Sequence, residues 1–242
     1  MNRILLEPVE PGPDGSVALS DRRAEHIRSV LRAVPGDTLR IGLIDGPLGT
    51  GTVKAVSAHA VELACVFQED LPPAPPPLDL VLALPRPKVM KRLWPALASF
   101  AVRRIGLINA ERVERVYFDT HVLEPAFVRD HLLEGCEQAG WTRLPRVSIH
   151  RRFRPFVEDE LEAWSAGTTR LAAHPGEAER VGGAVGRGGG VLLAVGPEGG
   201  WNDFELGLLA ARGFRRVGLA GGPLRSDVAC VALLAVVRDA QA

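Results

Sequence analysis

The segment Leu71-Pro-Pro-Ala-Pro-Pro-Pro77 constrains this chain more than any other, because five of the six residues from 72 to 77 are proline. Proline lacks an amide hydrogen and has a fixed φ, so neither a helix interior nor a central strand can run through it. The chain therefore divides into residues 1–71, a proline-rich linker at 72–77, and residues 78–242. Ahead of the linker, strand-like runs fall at 4–6, 38–44, 51–56 and 61–67. One helix is predicted over 21–34, where Ile27, Val30, Leu31 and Val34 make an apolar face flanked by Arg22, Arg23, Arg28 and Arg32. Pro35-Gly36-Asp37 ends it. Mostly strands with one helix points to a small barrel.

Beyond the linker, strands and helices alternate. Apolar strands are predicted at 78–84, 104–108, 146–150, 169–173, 191–195 and 216–219. Val89, Met90, Leu93, Leu97 and Ala101 recur at helical spacing between the first two. Pro95 lies inside that stretch, and proline costs about 3 kcal/mol in a helix interior, so a kink or restart is expected there. Further helices are expected at 123–138, at 156–165, after residue 202 and from about Asp227. Solid apolar strands alternating with helices indicate an α/β domain, its parallel sheet covered on both faces.

Cys65, Cys136 and Cys230 are scattered and odd in number, which argues against a disulfide framework and a structural zinc site. No metal is indicated. The N-terminal residues contain no signal-peptide core, and no apolar run approaches the roughly 18 residues of a membrane span. A soluble, cytoplasmic protein with no membrane partner is the expectation. The net charge is zero, yet its distribution is uneven. Residues 85–116 hold Arg86, Lys88, Lys91, Arg92, Arg103, Arg104, Arg112 and Arg115 against only Glu111 and Glu114, and residues 141–154 hold five arginines and no acid. Basic faces on a neutral protein are compatible with RNA binding.

The strand at 191–195 runs into Gly196-Pro197-Glu198-Gly199-Gly200-Trp201, followed by a helix for which Asn202 is the predicted N-cap and Glu205 its capping-box partner. Glycine loops between strand and helix are where α/β proteins bind nucleotides. This one is neither GxGxxG nor GxxxxGK[ST]. Pro197 removes an amide that a phosphate would use, and Glu198 would repel it. The loop suits an uncharged adenosine or a cationic sulfonium better than a pyrophosphate, which also disfavours a nicotinamide-dependent enzyme. A second loop, Leu219 to Asp227, carries Gly221, Gly222, Leu224 and the charged pair Arg225 and Asp227 at a helix start, with Ser226 as predicted N-cap. An acid in a first helical turn also has a purely dipolar use. Two such loops after the two C-terminal strands tip the reading towards a site.

GPEGGW, Glu205, Leu219, and Gly221 to Arg225 with an acid two residues on resemble the C-terminal signature of the RsmE methyltransferases. His26-Ile-Arg-Ser-Val-Leu-Arg32 with Gly36-Asp37 is similar to the family's N-terminal pattern. Leu171-Ala-Ala-His174-Pro175 and Glu137-Gln138 also fall where related sequences carry similar motifs. The resemblance spans nearly the whole chain. It implies a PUA-like RNA-binding β-barrel followed by a SPOUT domain with a deep trefoil knot, an exception to the near-absence of knots. It also implies a homodimer that methylates N3 of a uridine in 16S ribosomal RNA of the small subunit, with S-adenosylmethionine as cofactor. The cofactor bed it implies comprises Leu171, His174, Gly196, Pro197, Glu198, Gly199, Gly200, Leu219, Gly221 and Leu224. Arg22, Arg23, His26, Arg28 and Arg32 would face RNA. The departures are Ala220, Pro223, Asp227 and Val228 in the last loop, Ser99-Phe-Ala-Val102 in place of ELGV, and Trp141 where an arginine is frequent.

For the chemistry, Arg225 is expected to hold an oxygen of the developing uracil anion, and Asp227 either to act as base or to orient Arg225. The alternatives are a SPOUT methyltransferase for a different nucleoside or RNA, and a non-catalytic RNA-binding assembly factor of the same fold.

Overall fold

The computed structural model describes the chain apart from Met1, Ala220 and Pro223 and the side chain of Ser165, so two of the sequence departures, Ala220 and Pro223, lie outside the described residues. Two compact units are present: residues 1–73 with 133–144, and residues 74–132 with 145–242.

In the first unit, β1 (Ile4–Leu6), β2 (Ser16–Leu19), β3 (Thr38–Leu43), β4 (Leu48–Val56) and β5 (Val61–Phe67) form one sheet in the order β1-β3-β4-β5-β2. Only the β1–β3 pairing is parallel. Alternate residues Val53, Val61, Leu63 and Cys65 point into a core shared with Ile4, Leu6, Val17, Leu19 and Ile41. β2 has no counterpart in the sequence reading, because SVAL alternates over too few residues to stand out. The predicted helix over 21–34 is shorter and irregular. α1 (Arg22–His26) passes into a π-helical turn, Ile27–Leu31, that stops at Arg32 in the left-handed region. Ile27 is buried, but Val30, Leu31 and Val34 are exposed, so the expected apolar face is not packed inward as a whole. The wider π turn rotates the later residues off the stripe that a 3.6-residue repeat would have made.

The second unit carries β6 (Leu78–Ala83), β7 (Arg104–Ile108), β8 (Arg146–His150), β9 (Thr169–Ala173), β10 (Val191–Val195) and β11 (Arg215–Val217), all parallel, in the order β11-β9-β10-β6-β7-β8. β6 and β10 are buried at every position, as central strands of a sheet covered on both faces must be. Asp79 sits within β6 with no exposed surface. Its charge is met by Arg103 (Nε to Oδ1, 3.0 Å) and by Arg104 (Nη2 to Oδ2, 2.6 Å). α2 (Pro87–Ser99) follows β6 and includes Pro95 without a break. The expected restart does not occur. Pro95 lies near the C-terminal end, where little helix follows it, and neighbours Leu93, Trp94 and Leu97 are locked in the core.

α3 (Pro125–Ala139) starts on a proline, tolerated in a first turn. α4 (Phe153–Pro155), a π turn at Phe156–Glu160 and α5 (Leu161–Ser165) make a composite segment before β9. α6 (Asp203–Ala211) ends ahead of Gly213, which takes φ +78°. α7 (Ser226–Gln241) closes the fold. Its N-cap is Arg225, not the expected Ser226, which is the first helical residue. β11 spans three residues rather than 216–219, because Gly218 and Leu219 already bond to the loop after β9. Cys230 is fully buried within α7, as its apolar setting predicts.

Candidate active site

Parallel strands end on one edge of their sheet, and that edge gathers the glycine loops. β9, β10 and β6 are neighbours, and β11 flanks β9. The chain moves outward from β6 to β8, then returns to the other side of β6 with β9, β10 and β11. Ligands in such sheets bind outside the carboxyl ends where the order reverses.

The loop after β10 is shaped by packing. A Cβ at Gly196 would stand 3.1 Å from Trp201 Cε2, so glycine lets the indole close over the strand end. Trp201 is buried, its ring 5.8 Å from that of Phe153, and its Nε1 has no hydrogen-bond partner among the described residues. Pro197 is buried too. Gly200 has φ +74°, and its amide donates to the Pro197 carbonyl at 2.8 Å. Arg112 donates to the Gly199 carbonyl, and Arg86 lies 3.5 Å from the Glu198 carboxylate. Asn202 caps α6 in the predicted capping box: Oδ1 accepts the Glu205 amide at 2.8 Å and Glu205 Oε2 accepts the Asn202 amide at 2.9 Å. The other Glu205 oxygen accepts the Glu111 amide at 2.8 Å, tying this helix start to the loop after β7. That link spans 94 residues and left no local sequence signal.

The exits of β9 and β11 are joined. The His174 amide donates to the Val217 carbonyl at 2.9 Å, the Gly218 amide to the Glu179 carbonyl at 2.9 Å, and Arg180 to the Leu219 carbonyl at 2.8 Å. A Cβ at Gly218 would come 3.0 Å from the Glu177 carbonyl oxygen. The buried Nδ1 of His174 stands 3.4 Å from Glu177 Oε1 without a hydrogen bond. Leu171 is fully buried inside β9, beneath the edge, while Leu219 is half-buried. Gly221 takes φ +97°, and apart from chain neighbours no atom of the described residues lies within 4 Å of where a Cβ would be on it, on Gly222 or on Gly200. Leu224 is exposed.

Arg225 and Asp227 meet at 2.7 Å. Arg225 is 70% exposed and Asp227 15%. Arg92, on α2, donates to the same carboxylate oxygen at 2.8 Å, and the other oxygen accepts the Val228 amide at 3.0 Å. Desolvation pushes the Asp227 carboxyl up, but the hydrogen bonds from Arg225, Val228 and Arg92 outweigh it and hold the pKa below the ordinary aspartate value. Arg92, Arg86 and Arg112, which reach Asp227, Glu198 and the Gly199 carbonyl, carry no local motif. Their only signal was the basic run after the first strand of this unit.

In the first unit, Arg23 is spent internally, on Glu10 (2.8 Å), Asp21 and the Leu5 carbonyl. Arg22 pairs with the buried Glu137 at 2.9 Å, and Arg28 with Glu25. His26 is half-buried, its Nε2 makes no hydrogen bond among the described residues, and burial together with Arg22 lowers its pKa. Arg32 is exposed.

Among the described residues no group of three His, Cys, Asp or Glu could hold a metal ion, and no helix is long and apolar enough to cross a membrane. Residues 72–238 match the family model described as an RNA methyltransferase domain. A ribosomal RNA small subunit methyltransferase E from Treponema pallidum is 31% identical, covering 98% of this chain and 90% of the relative. One from Mycobacterium bovis is 28% identical over 96% of this chain and 90% of its own length. Two solved structures share the fold. A ribosomal RNA small subunit methyltransferase E from Neisseria gonorrhoeae bound to S-adenosyl methionine has a TM-score of 0.78 at 22% identity, covering 99% of this chain and 97% of that one. A protein from Legionella pneumophila in complex with the same cofactor has a TM-score of 0.74 at 23% identity, with 99% and 97% coverage.

Proposed function

This chain belongs to the ribosomal RNA small subunit methyltransferase E family, and we propose that it methylates N3 of a uridine in 16S ribosomal RNA, using S-adenosylmethionine. The observation that carries the reading is the grouping of two glycine loops, a carboxylate and an arginine cluster at one edge of a parallel sheet.

The loops fit that cofactor. Gly200, Gly221 and Gly222 leave backbone open to close approach, and the buried Trp201 Nε1 and His174 Nδ1 make no hydrogen bond among the described residues. Glu198 and the missing Pro197 amide suit a cation rather than a phosphate. When bound, S-adenosylmethionine supplies an electrophilic methyl group on a positively charged sulfur. Gly196 to Gly200, Leu219, Gly221 and Leu224, with His174 and the buried Leu171 behind them, form its bed.

On the RNA side, the target uridine must leave its stack to reach the edge. N3 of the base would give up its proton to solvent and present the freed lone pair to that methyl group, the cofactor sulfur keeping the S–CH3 bonding electrons. Arg225, permanently cationic, hydrogen-bonds a uracil oxygen as negative charge develops there. Asp227, kept ionised by its three donors, orients Arg225 and is a poor proton acceptor at neutral pH. Arg22, His26, Arg28 and Arg32 contact phosphates, whereas Arg23 serves mainly to tie α1 to β1.

The reading brings further features with it: a trefoil knot in the second unit, a PUA-like barrel in the first, a homodimer and a cytoplasmic location. The largely antiparallel five-stranded sheet and the bonding of 174–181 to Gly218 and Leu219 support the first two. Incubation with methyl-labelled cofactor and separated ribosomal subunits tests the substrate class. Label in undermethylated small subunits and not in large ones is the expected result. Label in neither, with the cofactor bound, would favour an assembly factor.

A further inference from the structure

We propose that Arg92 is a positioning residue for this methyl transfer, one that locks the Asp227–Arg225 pair and gives the cluster its net positive charge. The proposal rests on the uridine-methylation reading above. α2 packs against α7, which brings Arg92 to a carboxylate 135 residues away in the chain. Arg92 Nη2 and Arg225 Nη2 donate to the same oxygen, Asp227 Oδ2, at 2.8 and 2.7 Å. Oδ1 is held separately by the Val228 amide at 3.0 Å. Both carboxylate oxygens are therefore committed, and the carboxylate has one orientation in which to hold Arg225.

Charge decides why a second guanidinium matters. Arg225 and Asp227 alone sum to zero, and a neutral pair stabilises a developing anion weakly. With Arg92 the three residues sum to +1. Arg92 is 52% exposed and Arg225 70%, so each keeps donors beyond those spent on Asp227, which itself is 15% exposed. An ion pair this exposed contributes little to folding. Methyl transfer to N3 removes a proton, forms N–CH3 and breaks S–CH3, so the negative charge on the uracil ring exists only on the way to product. A fixed cationic cluster acts on that charge and not on the resting base.

The test compares Arg92→Gln and Arg92→Lys in the full chain, reading kcat and KM on small-subunit RNA, S-adenosylmethionine affinity by calorimetry, and thermal unfolding. Arg92→Gln is expected to lower kcat on the order of tenfold or more, while the RNA KM and cofactor Kd stay within about threefold. Arg92→Lys, which retains the charge, should recover most of the loss. In an Arg225→Ala background, Arg92→Gln should cost far less, because the residue it positions is gone. An unchanged kcat in Arg92→Gln overturns the proposal. So does a loss expressed mainly as a raised RNA KM, which would make Arg92 a phosphate contact. A wild-type protein that methylates no RNA removes the underlying reading and the proposal together, and is distinguished by failing before any variant is compared.

Discussion

Arg225 Nη2 lies 2.7 Å from Asp227 Oδ2 at the first turn of the last helix, an ion pair between residues two apart in sequence. Most of the arginine nonetheless faces solvent. Arg225→Ala should leave S-adenosylmethionine affinity within a few-fold and reduce turnover on the order of a hundredfold, since one lost donor to a developing oxyanion has about that effect. Single-turnover kinetics beside calorimetric binding would check this, and full activity in the variant would remove Arg225 from the mechanism.

Hydrogen bonds from Arg225, Val228 and Arg92 hold the Asp227 carboxyl below its ordinary pKa. A depressed carboxyl is ionised from its folded pKa upwards, so its grip on Arg225 persists through neutrality and is lost only as pH falls below the ordinary aspartate range. Between about pH 6 and 9, Asp227→Asn should lower the rate without changing the shape of its pH dependence. A limb present in wild type and missing in the variant would instead identify Asp227 as the base.

Gly218 is required by contact rather than by φ. A methyl group there would press on the Glu177 carbonyl oxygen at 3.0 Å and approach the His174 carbonyl oxygen at 3.4 Å, and backbone cannot swing aside as a side chain can. Gly218→Ala should cost about 1–3 kcal/mol in urea unfolding and weaken cofactor binding, because it separates the exits of β9 and β11. Wild-type cofactor affinity in this variant would dissociate that junction from the site.

Glu137 is buried, and desolvation raises its pKa above the ordinary 4.5 despite hydrogen bonds from Arg22 and the Leu5 amide. The folded state thus binds this proton more tightly than the unfolded chain. Its contribution to stability falls as pH rises from the ordinary value through the raised one. Relative to wild type, Glu137→Gln should gain stability over that window and level off above it. Urea melts at stepped pH would reveal the trend, and a difference independent of pH would contradict it.

Much of this fold was legible because local pattern and tertiary setting agree. β1, β5, β7, β8, β9 and β10 coincide with apolar runs, and the Asn202–Glu205 capping box forms as its spacing requires. What escaped was set by tertiary contact. β2 needs β5 beside it to be a strand, and Pro95 is carried through α2 by its core neighbours. The π turn after His26 turned an expected buried stripe outward. In the site, the loops and the Arg225–Asp227 pair were readable as local motifs. Arg92, Arg86 and Arg112 were not, because each acts on a residue at least 87 positions away.

The assignment to uridine N3 is tested most directly by digesting small-subunit RNA after reaction with the purified protein and identifying the new nucleoside by mass spectrometry. Appearance of 3-methyluridine, dependent on S-adenosylmethionine and formed far more slowly by Arg225→Ala, is the expected result. A methyl group on a different nucleoside, with 3-methyluridine absent, would contradict it.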